Sequence, residues 1–209
     1  MTIQKVKLVN DIDSSNTIMK ENFLSPLFFQ SLKEIVEAET FGWFFRKHNA
    51  RPEAFYQWNM EINDNIKLDN NYMFTHILYN NPLDDNFNKN QGKLSPFFEK
   101  FEPILYFLEK ETSISKLIRM KLNLYPNQNK RIELSKHYDV FDAHKNKPTD
   151  NITNAIFNFT TCNGGTVIND EEYESKENSI MIFDNEYLHH GIVQTDTQRR
   201  IVLNIAFFN

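Results

Sequence analysis

The sequence predicts a mainly β fold with a helical layer, on three observations. From about residue 116 onward, short segments alternate strictly between apolar and polar residues. Side chains two apart on a strand share a face, so such segments read as half-buried strands. Before that point, two Ser-Pro pairs each open an apolar run with helical spacing. Finally, 209 residues with 40% hydrophobic and 14% aromatic content suffice for one sizeable core. One domain is therefore expected, with residues 1–115 as a support region of helices and strands and 116–209 as the β core that carries any site.

Taken in order, Ser25-Pro26 begins a helix whose apolar residues are Leu27, Phe28, Leu32, Ile35 and Val36. Serine caps the free N–H groups of a first turn and proline tolerates its first position. FYQWNMEI (55–62) and NYMFTHILY (71–79) read as strands, and NNPLDDN (80–86) as a turn. Ser95-Pro96 starts a second helix through Phe97, Phe98, Phe101, Leu105 and Leu108. In LIRMKLNLY, Ile118, Met120, Leu122 and Leu124 share one face, with Arg119, Lys121, Asn123 and Tyr125 opposite. NAIFNFT alternates Asn154, Ile156 and Asn158 with Ala155, Phe157 and Phe159. TVI (166–168), SIMIF (179–183) and GIVQ (191–194) add strands, and RIVLNIAFF sets Ile201, Leu203, Ile205 and Phe207 against Arg200, Val202, Asn204 and Ala206. Six or more short strands joined by turns describe a sandwich or barrel. One face of several strands is wholly apolar and packs on helices; the mixed face either lines a pocket or meets water. Gly164-Gly165 is expected to form a tight turn, where glycine takes positive φ cheaply.

Composition narrows the function classes. Net charge is −5 and the basic residues are scattered, so nothing draws the chain to a phosphate backbone, which counts against nucleic acid as substrate. Cys162 stands alone, which excludes an internal disulfide framework and a multi-cysteine zinc site. It also lacks a placed base. The N-terminal stretch has no signal-peptide pattern and no run approaches the roughly 20 apolar residues of a bilayer span, so a cytoplasmic location away from membranes is expected.

The chemistry gathers in two places. In SKHYDVFDAHK (135–145), His137 and Asp139 lie two apart, so an imidazole nitrogen and a carboxylate oxygen on one face of an extended segment can grip one ion. Far along the chain, SIMIFDNEYLHHG brings His189 and His190, and QRRIVLNI brings Arg200. Two histidines and a carboxylate form a facial triad that leaves coordination positions open on non-haem iron. An arginine nearby can clamp a carboxylate through a two-pronged ion pair. Strand phase favours Arg200, on the mixed face, over Arg199; it does not decide between His189 and His190.

With LNLYP (122–126) leading into HYD, AIFNF followed by GGT, then SIMIFDNEYLHHG and RRIVLNIAFF, the chain resembles the 2-oxoglutarate and Fe(II)-dependent oxygenase family in its prolyl-hydroxylase-like branch. It is similar in particular to small members found in phages and marine bacteria. The likeness spans roughly residues 116–208. It implies a double-stranded β-helix, or jelly-roll, core packed against the N-terminal helices. Iron would sit on His137, Asp139 and His189. The co-substrate 2-oxoglutarate would be held by Arg200, with Tyr125, Asn123 and Asn158 as further contacts. The implied reaction consumes O2, hydroxylates a substrate and releases succinate and CO2. A protein side chain or small molecule is favoured as substrate. Two other functions remain open: a non-catalytic jelly-roll binding module, and a cupin-type metal enzyme that needs no 2-oxoglutarate. His144 is expected on a surface or lid loop, and His48 and His76 in structural roles.

Overall fold

Alternation in the second half of the chain becomes two antiparallel sheets. The computed structural model describes residues 17–47, 72–81, 94–142 and 145–209. The strand expected over 55–62, most of the turn over 80–86, and His48 and His144 lie outside the described residues.

The large sheet has seven strands: β1 (Ile18–Lys20), β2 (Phe44–Arg46), β3 (Met73–Asn80), β4 (Lys116–Pro126), β8 (Ile152–Asn158), β11 (Ser179–Asp184) and β13 (Arg199–Phe208). Their spatial order is β1-β11-β8-β13-β4-β3-β2. The small sheet runs β10 (Glu171–Ser175), β9 (Cys162–Ile168), β12 (His189–Val193), β5 (Ile132–Glu133). A two-stranded ribbon, β6 (Phe141–Asp142) with β7 (Lys147–Pro148), completes the strands. The arrangement is mostly β-sheet with few helices and is consistent with a jelly roll.

Each face of the large sheet is covered by something different. Leu122, Phe157 and Leu203 pack against Phe29, Leu32 and Val36 of α1 (Pro26–Glu37). The same cluster takes in Phe98 and Phe101 of α2 (Phe98–Phe101) and Ile104 and Leu108 of α3 (Pro103–Leu108). On the opposite face, Ile156, Met181, Phe183 and Val202 meet Leu134, Ile168 and Val193 from the small-sheet side. The mixed faces of β4 and β13 therefore look into the space between the sheets, and that space holds the site. Described strands of the support region join the large sheet, since β3 pairs with β4 and β1 with β11. Among the described residues no helix is long and apolar enough to cross a membrane.

Several local features follow from residue chemistry. Ser25 Oγ accepts the Phe28 N–H at 3.4 Å, with Pro26 at the first helical position. The second helical run is broken at Pro103, whose ring nitrogen has no hydrogen to donate, so α2 and α3 are separate. Gly164 and Gly165 differ from expectation: both lie inside β9 and neither has positive φ. They are small because neighbours press on them. A Cβ on Gly164 would stand 2.7 Å from the Ile192 carbonyl oxygen, and one on Gly165 2.4 Å from that of Tyr173. The left-handed turn positions go to asparagine and aspartate, as at Asn169 (φ 50°) and Asp170 (φ 66°) between β9 and β10. Two successive positive φ values make the type I′ hairpin turn, whose twist matches its strands. His76 is structural as expected, its ring nitrogens 2.7 Å from the Gly42 carbonyl and 2.7 Å from Ser95 Oγ.

Candidate metal and anion site

His137 and His189 are brought together by the backbone. His137 N–H donates to the His189 carbonyl at 2.9 Å, and His189 N–H to the His137 carbonyl at 3.2 Å. The two rings stand 4.6 Å apart between centroids. Each Nδ1 faces a carbonyl two residues back, that of Ser135 at 2.9 Å and that of Tyr187 at 3.2 Å. An Nδ1–H donating to a carbonyl leaves Nε2 as the lone-pair nitrogen, the usual arrangement of a metal-binding imidazole. Ligand atoms of His137, Asp139 and His189 all lie within 4.8 Å of one another. His189 Nε2 is buried with no hydrogen-bond partner. A ring nitrogen left without a hydrogen bond, 3.3 Å from a carboxylate oxygen, fits a cation. Alternation in β12 turns His190 to the other side, where its Nε2 is 3.8 Å from Glu133. The geometry thus groups His189, and not His190, with His137 and Asp139.

Asp139 is positioned from three directions. Arg119 NH2 donates to Oδ1, Asn204 Nδ2 donates to Oδ2 at 2.8 Å, and His189 Nε2 stands 3.3 Å from Oδ2. Arg119 also donates to Asn204 Oδ1 at 3.0 Å, closing the network. Burial alone would raise the carboxyl's pKa, but the Arg119 charge and the His189 contact outweigh it and hold the group well below the usual range. Burial, then the neighbouring His189, lowers His137 to about 3. His137 is therefore neutral and able to ligate near pH 7.

Arg200 lies in the same cavity, 1% exposed. Its NH1 donates to the Gly165 carbonyl at 2.7 Å and its NH2 to Thr166 Oγ1 at 2.9 Å. The Tyr125 ring centroid is 5.6 Å from the guanidinium carbon. Nε is buried without a partner, and no carboxylate pairs with Arg200 among the described residues. A buried cation lacking an acid is costly unless an anion joins it. Arg199 points the other way, 3.6 Å from Glu37.

Tyr125 and Asn123 line the cavity with Arg200, and Asn123 Oδ1 is buried without a partner. Asn158 is not brought there: its Nδ2 donates to Ser179 Oγ at 3.1 Å and its Oδ1 accepts from Ser175 Oγ at 3.0 Å. Sequence reasoning assigned no role to Arg119, Lys121, Thr166 or Asn204. Three of these had a signal, because Arg119 and Lys121 alternate in phase with Tyr125, and Asn204 with Arg200. Lys121 lines the cavity with no hydrogen bond or ion pair among the described residues. Burial and then Arg119 lower its pKa to about 7, against the opposing pull of Asp139.

No protein-family model matches the chain, and no curated protein sequence does. Solved structures do. A 2OG-Fe(II) oxygenase family oxidoreductase from Burkholderia pseudomallei is similar at a TM-score of 0.57 and 9% identity, over 91% of this chain and 85% of that one. A prolyl hydroxylase from Trichoplax adhaerens, in complex with a hypoxia inducible factor peptide fragment, gives 0.57 and 10%, over 96% and 86%. A Pseudomonas putida prolyl-4-hydroxylase gives 0.51 and 12%, over 96% of both chains. The chain has the fold shared by these 2OG-Fe(II) oxygenases, prolyl hydroxylases among them.

Proposed function

We propose that the protein is an Fe(II)- and 2-oxoglutarate-dependent dioxygenase that hydroxylates its substrate with release of succinate and CO2. One observation carries the reading: His137, Asp139 and His189 converge within 4.8 Å in the same cavity as a buried arginine that no acid among the described residues pairs with. His137, Asp139 and His189 would hold the iron, which would supply the oxidising chemistry with a 2-oxo acid and O2. The chain's own residues do the rest. Arg119 and Asn204 fix the Asp139 carboxylate, and the Ser135 and Tyr187 carbonyls fix the two imidazoles. Arg200, steadied by Gly165 and Thr166, takes the far carboxylate of 2-oxoglutarate through a charge-assisted pair. Tyr125 and Asn123 border that subsite. The primary substrate is a protein side chain or a small molecule, and residues 1–115 and 116–209 work as one domain, since their strands share a sheet.

The test is turnover of the keto acid. Purified protein with Fe(II), ascorbate and O2 should convert 2-oxoglutarate to succinate, and omission of iron or O2 should stop it. Unchanged 2-oxoglutarate under all conditions, including with protein and small-molecule substrate pools added, contradicts the proposal.

A further inference from the structure

Lys121 is the cation in this cavity that the proposed reaction does not use. On β4 the inward residues run Arg119, Lys121, Asn123, Tyr125, and across the ladder Lys121 faces Asn204 while Tyr125 faces Arg200. Four residues of strand separate those two levels by about 13 Å. Arg200 thus marks one end of the wall, and Lys121 lies near the level of Asp139, which Asn204 holds. The local acid does not satisfy Lys121, because Asp139 gives Oδ1 to Arg119 and Oδ2 to Asn204. A second cation stands beside this wall: Arg46, exposed on the edge strand β2 opposite the cavity-lining Met73, donates through Nε to Thr75 Oγ1 at 3.3 Å. Thr75 pairs across the ladder with Asn123, which lines the cavity. No carboxylate pairs with Arg46 among the described residues. In a chain of net charge −5, two cations with no paired carboxylate among the described residues, Lys121 lining the cavity and Arg46 exposed beside it, call for an anion.

We propose that Lys121, assisted by Arg46, binds a carboxylate of the primary substrate, which is therefore an acid. This rests on the dioxygenase reading of the same site. In that reading Arg200 and the metal would take the two carboxylates of 2-oxoglutarate, and Arg119 is paired with Asp139. Lys121 is then the positive charge left over, beside the open part of the cavity. An ammonium on a flexible stem suits a point contact to one carboxylate oxygen more than a rigid fork would. An uncharged substrate offers that side chain no charge partner, so the same residue favours acids over amides and esters.

The experiment loads the protein with Mn(II) and 2-oxoglutarate, which supports no turnover, and follows thermal melting with a fragment set of small carboxylic acids paired with their primary amides. Acids are expected to raise the melting temperature and their amides not to. Lys121→Gln should weaken the response to acids by about tenfold or more, the scale of one lost charge-assisted contact, and Lys121→Arg should restore part of it. Arg46→Gln, at an exposed position, should weaken it less and keeps the test available should Lys121→Gln not fold. Equal responses to acids and amides, or no response to any acid, overturns the inference alone. So does a Lys121→Gln variant whose loss is in 2-oxoglutarate affinity, since Lys121 would then belong to the co-substrate. Wild-type protein that binds neither Mn(II) nor 2-oxoglutarate overturns the dioxygenase reading and this inference with it.

Discussion

Asp139 has both carboxylate oxygens occupied within the protein, and that makes Arg119 the residue on which the geometry of the proposed metal site depends. Removing the guanidinium leaves one oxygen unheld and restores the burial penalty that Arg119 offsets. Arg119→Met should therefore weaken metal binding by about 10–100-fold, the usual cost of losing a group that orients a ligand; Mn(II) or Fe(II) titration of the purified variant measures it, and an unchanged affinity contradicts the role. His137 gives a pH prediction. Its folded pKa of about 3 lies below the unfolded value of about 6.5, so the unfolded chain binds more protons between those limits. The stability this contributes is present above about pH 6.5 and is lost as pH falls toward 3. Asp139, also depressed, adds loss in the same direction. Metal-free protein should melt at progressively lower temperature below about pH 6.5, and His137→Asn should flatten that slope. His137 and Asp139 were legible because their pairing is local. For Arg119 and Asn204 only the inward strand phase was legible, because their contact with Asp139 arises through the register of three separate segments.

Among the elements, β9 joins the site to the fold most tightly. Its Gly165 has a neighbouring carbonyl where a side chain would go, and its own carbonyl holds Arg200. Gly165→Ala should destabilise the protein by about 1–3 kcal/mol through overpacking. It should also weaken 2-oxoglutarate binding by displacing Arg200; chemical denaturation and ligand titration of one preparation check both. Retention of full stability would mean that β10 yields easily. The glycine pair was misread as a turn because glycine permits either positive φ or close strand approach, and residue type alone does not separate the two. Asparagine and aspartate take the hairpin turn instead. β10 went unseen since EEYES carries polar residues on both faces and lies at a sheet edge. β4, β8, β11 and β13 were legible because their alternation faces two different environments.

At the scale of the whole molecule, the large sheet is a partition between an aromatic core and a polar site. Phe157, fully buried, touches Phe23, Phe29 and Phe159 on the core side. Phe157→Ala should cost about 3–5 kcal/mol, lowering the melting temperature while the folded fraction binds metal with wild-type affinity. A matching loss of metal affinity would show the two faces to be coupled. The mainly β class and the position of the site were legible, since both follow from alternation and from ligands on inward faces. The intergrowth of the two halves was not, because pairing of β1 with β11 spans most of the chain and leaves no local mark. The most direct measurement of the central claim is an anaerobic optical titration with Fe(II) and 2-oxoglutarate. A weak visible charge-transfer band should form in the wild type and in His190→Ala, and be lost in His137→Ala, Asp139→Ala and His189→Ala. A band that persists in any of those three, or that disappears with His190 alone, contradicts the assignment.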